Sequence, residues 1–273
     1  MHILLTNDDG VEAPGLRALV EVLAPHARLT VVAPDRQRSA MGLAITLHSA
    51  LQVDELDPPL PGIALYRCSG TPTDCVAIAV YALCSTPPDL VISGINDGPN
   101  LGEDILYSGT VGGAIEGRIL AVPSIAVSAL RPTDGLVPAY QTAAQVTARL
   151  VEAWQRGLRV PEDVVLNVNV PSLTLARLSG FAVTTLGRRD YEAEVRIEHD
   201  TEGRHHYWIY GGARDTSPAP DTDVAAVASG KVSITPITYR LTAYRFVHDL
   251  QRILPGDLLS ARPDAPADDE WRP

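Results

Sequence analysis

MHILLTNDDG, residues 1–10, opens with strand formers from His2 to Thr6 and halts at the turn residues Asn7, Asp8, Asp9 and Gly10. Pro14 follows closely, and Leu16, Leu19, Val20 and Leu23 then recur at helical spacing. A buried strand therefore gives way to a helix, with two adjacent carboxylates at the strand's carboxyl end, where open α/β sheets hold their ligands. A capped turn accounts for one of these residues, since Asp and Asn are common caps. It accounts poorly for two. Neighbouring anions repel, and a divalent cation is the usual means of keeping both ionised. Asp8 and Asp9 are thus candidate metal ligands.

Working outward, RLTVVA (28–33) is a second apolar strand, and strand–helix–strand is the opening of a parallel α/β sheet. The polar loop that begins at Pro34 and Asp35 carries Ser39 on the same side of that sheet. Residues 47–61 read as an irregular surface connection rich in proline. ALYRC (64–68) is the next strand, and Ser69 to Asp74 turn into a helix with Thr71 or Thr73 as cap and Cys75 to Leu83 as its apolar body. That helix start could meet an anion or be no more than a capped end.

PDLVIS (88–93) is again a buried strand, followed by GINDGPNLGEDILYSGTVGGAIEG. So many glycines and asparagines together mean a backbone that turns tightly and approaches something closely. Asn96 comes just after the strand and projects at the same edge as Asp8 and Asp9. Ser108, Gly109 and Thr110 open a small-residue helix and offer hydroxyls, free N–H groups and the positive dipole end, a natural cradle for phosphate. The plainer reading is a Thr cap with glycines that let the helix pack on the sheet.

VPSIAVS (122–128) and VVLNVNV (164–170) supply two further strands around a long amphipathic helix, Tyr140 to Gln155. Beyond Pro171 the character changes. Glu194–His199 and Arg204–Tyr210 flank a Glu202-Gly203 turn and read as a hairpin, of a kind that often exchanges with a second subunit. Asp221, Thr222 and Asp223 cap a helix over Val224–Ala228, and KVSITP (231–236) returns as a strand. The expected division is a catalytic core over 1–175, an extension with hairpin and oligomerisation elements over 176–258, and an acidic, Pro-rich, frayed tail over 259–273.

The chain has 273 residues, 45% hydrophobic and 20% charged, ordinary for a globular protein with a sizeable core. Its formal charge of −11 argues against a nucleic-acid surface. Three cysteines without metal-ligand or redox spacing suit a reducing compartment. No signal segment and no long apolar run is evident, so the expectation is a cytoplasmic protein with no membrane contact. The first turn lacks G-x-G-x-x-G and places two negative charges where a pyrophosphate would sit. There is no G-x-x-x-x-G-K-[ST] loop, and the acids are adjacent rather than spaced as D-x-D.

TNDDG, VVAPDRQRSAMG, GTPTDCV, SGINDGPNLGEDILYSGTVGGAIEG and GKVSITPI, in that order, resemble the SurE family of stationary-phase survival nucleotidases. The resemblance runs to about Leu250. Met41-Gly42-Leu43 and Gly112-Gly113 depart from the usual pattern without touching a candidate ligand. The resemblance implies a Rossmann-like, mostly parallel sheet core with a swapped C-terminal hairpin region, and a homodimer or homotetramer. It implies a phosphomonoesterase that takes nucleoside monophosphates to nucleoside and phosphate, with one Mg²⁺ or Mn²⁺ per subunit. Carried onto this sequence, the ligands are Asp8, Asp9, Ser39 and Asn96, with Asp8, Asp9 and Asn96 catalytic and Ser108, Gly109 and Thr110 on the phosphate. Ser39 enters only by the resemblance. All-oxygen ligation of this kind suits a hard cation. Two other readings compete: a regulatory module that binds nucleotide without hydrolysing it, and a metal-dependent sugar-nucleotide transferase, which the missing D-x-D spacing disfavours.

Overall fold

Residues 1–131, 139–214, 219–254 and 258 are described by the structure, a computed structural model. The tail expected from Leu259 lies outside them. In chain order the elements are β1 (His2–Thr6), α1 (Pro14–Leu23), β2 (Arg28–Pro34), β3 (Val53–Leu56), β4 (Ala64–Cys68) and α2 (Pro72–Ile78). There follow β5 (Leu90–Asp97), α3 (Gly109–Ile119), β6 (Ser124–Ala129), α4 (Tyr140–Gln155) and β7 (Val164–Val170). The rest are β8 (Phe181–Val183), β9 (Asp190–His199), β10 (His205–Arg214), α5 (Asp223–Ala228), β11 (Val232–Thr238) and α6 (Tyr244–Ile253).

β1 is buried from end to end and lies inside a nine-stranded sheet of order β3-β4-β2-β1-β5-β6-β7-β11-β8. From β4 through β7 all pairings are parallel, while β3 and β11 join antiparallel to β4 and β7. Alternate residues of each strand serve opposite faces. Ile3 and Leu5 join Leu16, Leu19 and Leu23 of α1 and the apolar side of α4, whereas Leu4 faces Val76 and Ala79 on the side of α2. Both faces are covered, which is why the strands read as unbroken apolar runs. Each fully buried Leu or Ile contributes about 1.5–3 kcal/mol.

Strand order reverses at β1, with β2 on one side and β5 on the other, so the crevice beyond their carboxyl ends is the topological switch point. Residues 7–10 and 96–98 emerge there.

Several local expectations needed correction. Val53–Leu56 is an edge strand inside the stretch read as irregular; its half-exposed, charged sequence carries no apolar signal. β5 does not stop at Ser93. Pairing with β6 slips at Gly94-Ile95, which are joined by a cis peptide bond, and resumes at Asn96 opposite Ser128. α2 is capped by Thr71, whose side chain and that of Asp74 form a reciprocal capping box, and it widens into a π-helical turn over Ala79–Leu83. β7 does not end the sheet, because β11 and β8 extend it.

β9 and β10 form a separate two-stranded antiparallel ribbon. The pairing places Val195, Ile197, Tyr207 and Ile209 on one face and Arg196, Glu198 and Trp208 on the other. All four residues of the apolar face are exposed. Residues 1–239 form one compact unit and 240–273 a second. In the second, α6 is strongly amphipathic and has no buried residue.

Candidate active site

Asn7 builds the turn after β1: its side-chain amide donates to the Gly10 carbonyl at 2.9 Å, and its side-chain oxygen accepts the Gly10 N–H at 3.2 Å. Gly10 has φ +105°, a backbone setting open to glycine and costly to other residues. This closed turn leaves Asp8 and Asp9 at the sheet edge, Asp8 buried at 4% exposure. Arg38 donates its N–H to the Asp8 carbonyl at 2.7 Å, which pins the loop after β2 against the turn. Ser39 follows Arg38 and is exposed.

α3 approaches from the other side. A Cβ on Gly109 would lie 2.9 Å from the Asp8 Cβ, so only glycine lets the helix start come this close. Ser108 is the N-cap, its hydroxyl accepting the Val111 N–H at 3.1 Å. The Thr110 hydroxyl donates to Asp8 Oδ1. The sequence reading aimed that hydroxyl at phosphate, but here its proton is committed to a carboxylate. The first amides of the helix have no acceptor within it and stay the natural anion donors at this end.

Asp9 accepts the Asp97 N–H at 3.0 Å. Asn96, next to Asp97, donates from its side-chain nitrogen to the Gly98 carbonyl at 2.9 Å, an arrangement that frees its oxygen for a further partner. Asp8, Asp9, Asn96, Gly109 and Thr110 therefore meet at one edge, with Ser39 on the adjoining loop and Ser108 holding the helix end.

Burial, and then the neighbouring Asp9 charge, push the Asp8 carboxyl up to about 6 against the opposing Thr110 hydrogen bond. Asp9 is also raised, by burial first and by the Asp97 charge, with the Asp97 amide and Arg131 opposing. Among the described residues no ion pair involves either acid; Arg131 pairs instead with Asp97 at 2.8 Å. Two crowded, desolvated carboxylates that are in no ion pair among the described residues are the donor set a hard divalent cation stabilises, so the residues fit such an ion. No three His, Cys, Asp or Glu side chains cluster among the described residues, so any such site draws on neutral oxygens as well.

Sequence reasoning missed the scaffold behind the loop. Asn100 donates its N–H to Asn169 Oδ1 at 2.8 Å and its side-chain amide to Ser128 Oγ at 2.7 Å. Its carbonyl accepts from Asn167 at 2.8 Å and from Asn169 at 2.9 Å. Two asparagines on one face of a buried strand were the available signal, since such groups are costly unless bonded. Asp223 ties down the same loop, accepting the Gly102 N–H at 2.9 Å and the Gly187 N–H at 2.7 Å. Asp74 anchors the other side through Thr46, whose N–H and hydroxyl both reach it at 2.8 Å.

With this geometry in place, comparison with known proteins is decisive. The family model described as Survival protein SurE matches residues 3–193. The chain belongs to the SurE family. It is 46% identical over 245 residues to the 5′-nucleotidase SurE of Geobacter metallireducens, covering 89% of this chain and 94% of that one. To the 5′/3′-nucleotidase SurE of Yersinia pestis it is 47% identical over 245 residues, covering 89% of this chain and 92% of the relative. The crystal structure of the SurE protein from Aquifex aeolicus superposes with a TM-score of 0.80 at 40% identity, over 92% of this chain and 99% of that one. The SurE resemblance of the scattered motifs and the α/β architecture thus hold for this chain. No helix among the described residues is long and apolar enough to cross a membrane.

Proposed function

We propose that this SurE-family chain is a metal-dependent nucleotidase, a phosphoric monoester hydrolase that converts nucleoside monophosphates to nucleoside and phosphate. The observation that carries the reading is the meeting of the buried Asp8 and the half-buried Asp9, neither in an ion pair among the described residues, with the start of α3 at the switch point, in a chain whose relatives are named nucleotidases.

Asp8, Asp9, Ser39 and Asn96 would hold one Mg²⁺ or Mn²⁺. When bound, the cation supplies Lewis-acid neutralisation of charge on the phosphoryl oxygens and a more acidic water. The chain's own groups do the rest. The Gly109 and Thr110 amides and Ser108 orient the phosphate, and the helix dipole favours its charge. Thr110 holds the Asp8 carboxylate in place by donating to it. Asp97 and Arg131, paired beside Asp9, fix the end of β5 that carries Asn96.

The hairpin's exposed apolar face supports assembly into a homodimer or homotetramer, with a catalytic core over 1–175 and an assembling extension over 176–258. Phosphate release from a panel of mononucleotides, run with Mg²⁺, with Mn²⁺ and with excess chelator, tests the whole reading. The expected result is release that stops on chelation and returns with metal. Nucleotide binding without release would favour the regulatory module instead.

A further inference from the structure

The polar edge just described accounts for a phosphate and a cation but offers nothing to the rest of a nucleotide. Asp8, Asp9, Asn96, Asp97 and Arg131 make one wall of the site hydrophilic. On the α3 side the surface has the opposite character. Tyr107, immediately before the N-cap Ser108, is 68% exposed, and Leu106 beside it is 66% exposed. The loop after β2 brings Met41 and Leu43, 40% and 49% exposed, alongside.

The backbone segments that carry these residues are bonded to each other. Gly42 donates its N–H to the Tyr107 carbonyl at 3.0 Å, and Tyr107 in turn donates its N–H to the Asp104 carbonyl at 3.0 Å. Gly112 of α3 packs against the Gly42 carbonyl so closely that a Cβ there would overlap it. The backbone of an aromatic residue is thereby fixed one residue from the helix start that meets Asp8. Large exposed apolar groups that share one backbone-bonded junction, beside an anion-holding helix end, mark a recognition surface.

Resting on the nucleotidase reading, we propose that Tyr107, flanked by Leu106, Met41 and Leu43, is the platform on which the substrate's base stacks while its phosphate sits at the start of α3. Stacking uses the π-face that every base has, so this platform selects nucleotides over phosphomonoesters without a base and discriminates weakly among the bases.

The test compares the full-length protein with Tyr107→Ala and Tyr107→Phe on AMP, GMP, CMP, UMP and ribose 5-phosphate with Mn²⁺. Tyr107→Ala is expected to lower kcat/KM on all four nucleotides by roughly ten- to a hundredfold, mostly through KM. Its loss on ribose 5-phosphate is expected to stay under about twofold, and Tyr107→Phe to keep the parent's preference. Equal losses on nucleotides and ribose 5-phosphate, or no loss on either, overturns the proposal. So does a changed mass in light scattering, which would assign the patch to a subunit contact. If the parent protein releases phosphate from none of these compounds, the nucleotidase reading fails by itself. Calorimetric AMP binding, unchanged by Tyr107→Ala, would then overturn the platform as well, and binding weakened by it would uphold it.

Discussion

At the scale of single residues, Asp8 is a buried carboxyl whose desolvation governs its titration. Its carboxyl titrates near 6 when folded and near 3.8 when free, so between these values the folded chain binds more protons than the unfolded one. Stability of the metal-free protein is therefore expected to fall as pH rises through this window, by on the order of 3 kcal/mol from this group. Urea titrations at pH 4 to 7 should show that slope in the parent and a smaller one in Asp8→Asn. Added Mn²⁺ should cancel the loss in the parent. The same variant should bind Mn²⁺ roughly a hundredfold or more weakly by calorimetry, because a unit charge near a cation is worth about 4 kcal/mol at a protein's effective dielectric. Thr110 makes a second test. Thr110→Val removes the proton donated to Asp8, so metal affinity and kcat/KM are both expected to fall, the latter by about ten- to a hundredfold, from a charged hydrogen bond of about 1.5–3 kcal/mol. Thr110→Ser should restore both. A Thr110→Val protein with parental Mn²⁺ affinity would show that the hydroxyl serves phosphate alone.

At the scale of elements, the helix and strand starts most visible in the chain were those whose signal is local. β1, β4, α4 and β7 end where their apolar patterns and turn residues say they should. Asp8 and Asp9 were legible for the same reason, since their mutual repulsion is a property of adjacent residues. What escaped reading depends on distant partners. β3 is polar and takes its form from pairing with β4, and Gly94 reads as the end of a strand that in fact resumes after a slip. Ser39 looks like any loop serine until Arg38 is seen bonded to the Asp8 carbonyl. Asn167 and Asn169 gain meaning only from Asn100, far away in the chain. That network yields a prediction of its own. Asn169→Leu leaves the Asn100 N–H without its buried acceptor, a cost of about 1–3 kcal/mol, and loosens the loop that follows Asn96 at the end of β5. Thermal unfolding should show the destabilisation, and Mn²⁺ affinity should fall although no candidate ligand has been altered.

At the scale of the whole molecule, the β9–β10 ribbon is the part that does not finish itself. A two-stranded ribbon alone is marginal in water, and this one shows solvent a face of Val195, Ile197, Tyr207 and Ile209. A second copy of the chain is the natural cover. Ile197→Glu combined with Ile209→Lys is expected to give a monomer by light scattering, with the circular dichroism of the α/β core retained; an unchanged mass would place the subunit contact elsewhere. The uncovered ribbon also bears on how this protein's heat resistance is to be quoted. A surface completed only by another molecule makes the folded state a participant in mass action, so its melting temperature has no single value. It should climb with the protein's own concentration, and the dilution at which the climb levels off would report the dissociation of the assembly without any label or partner.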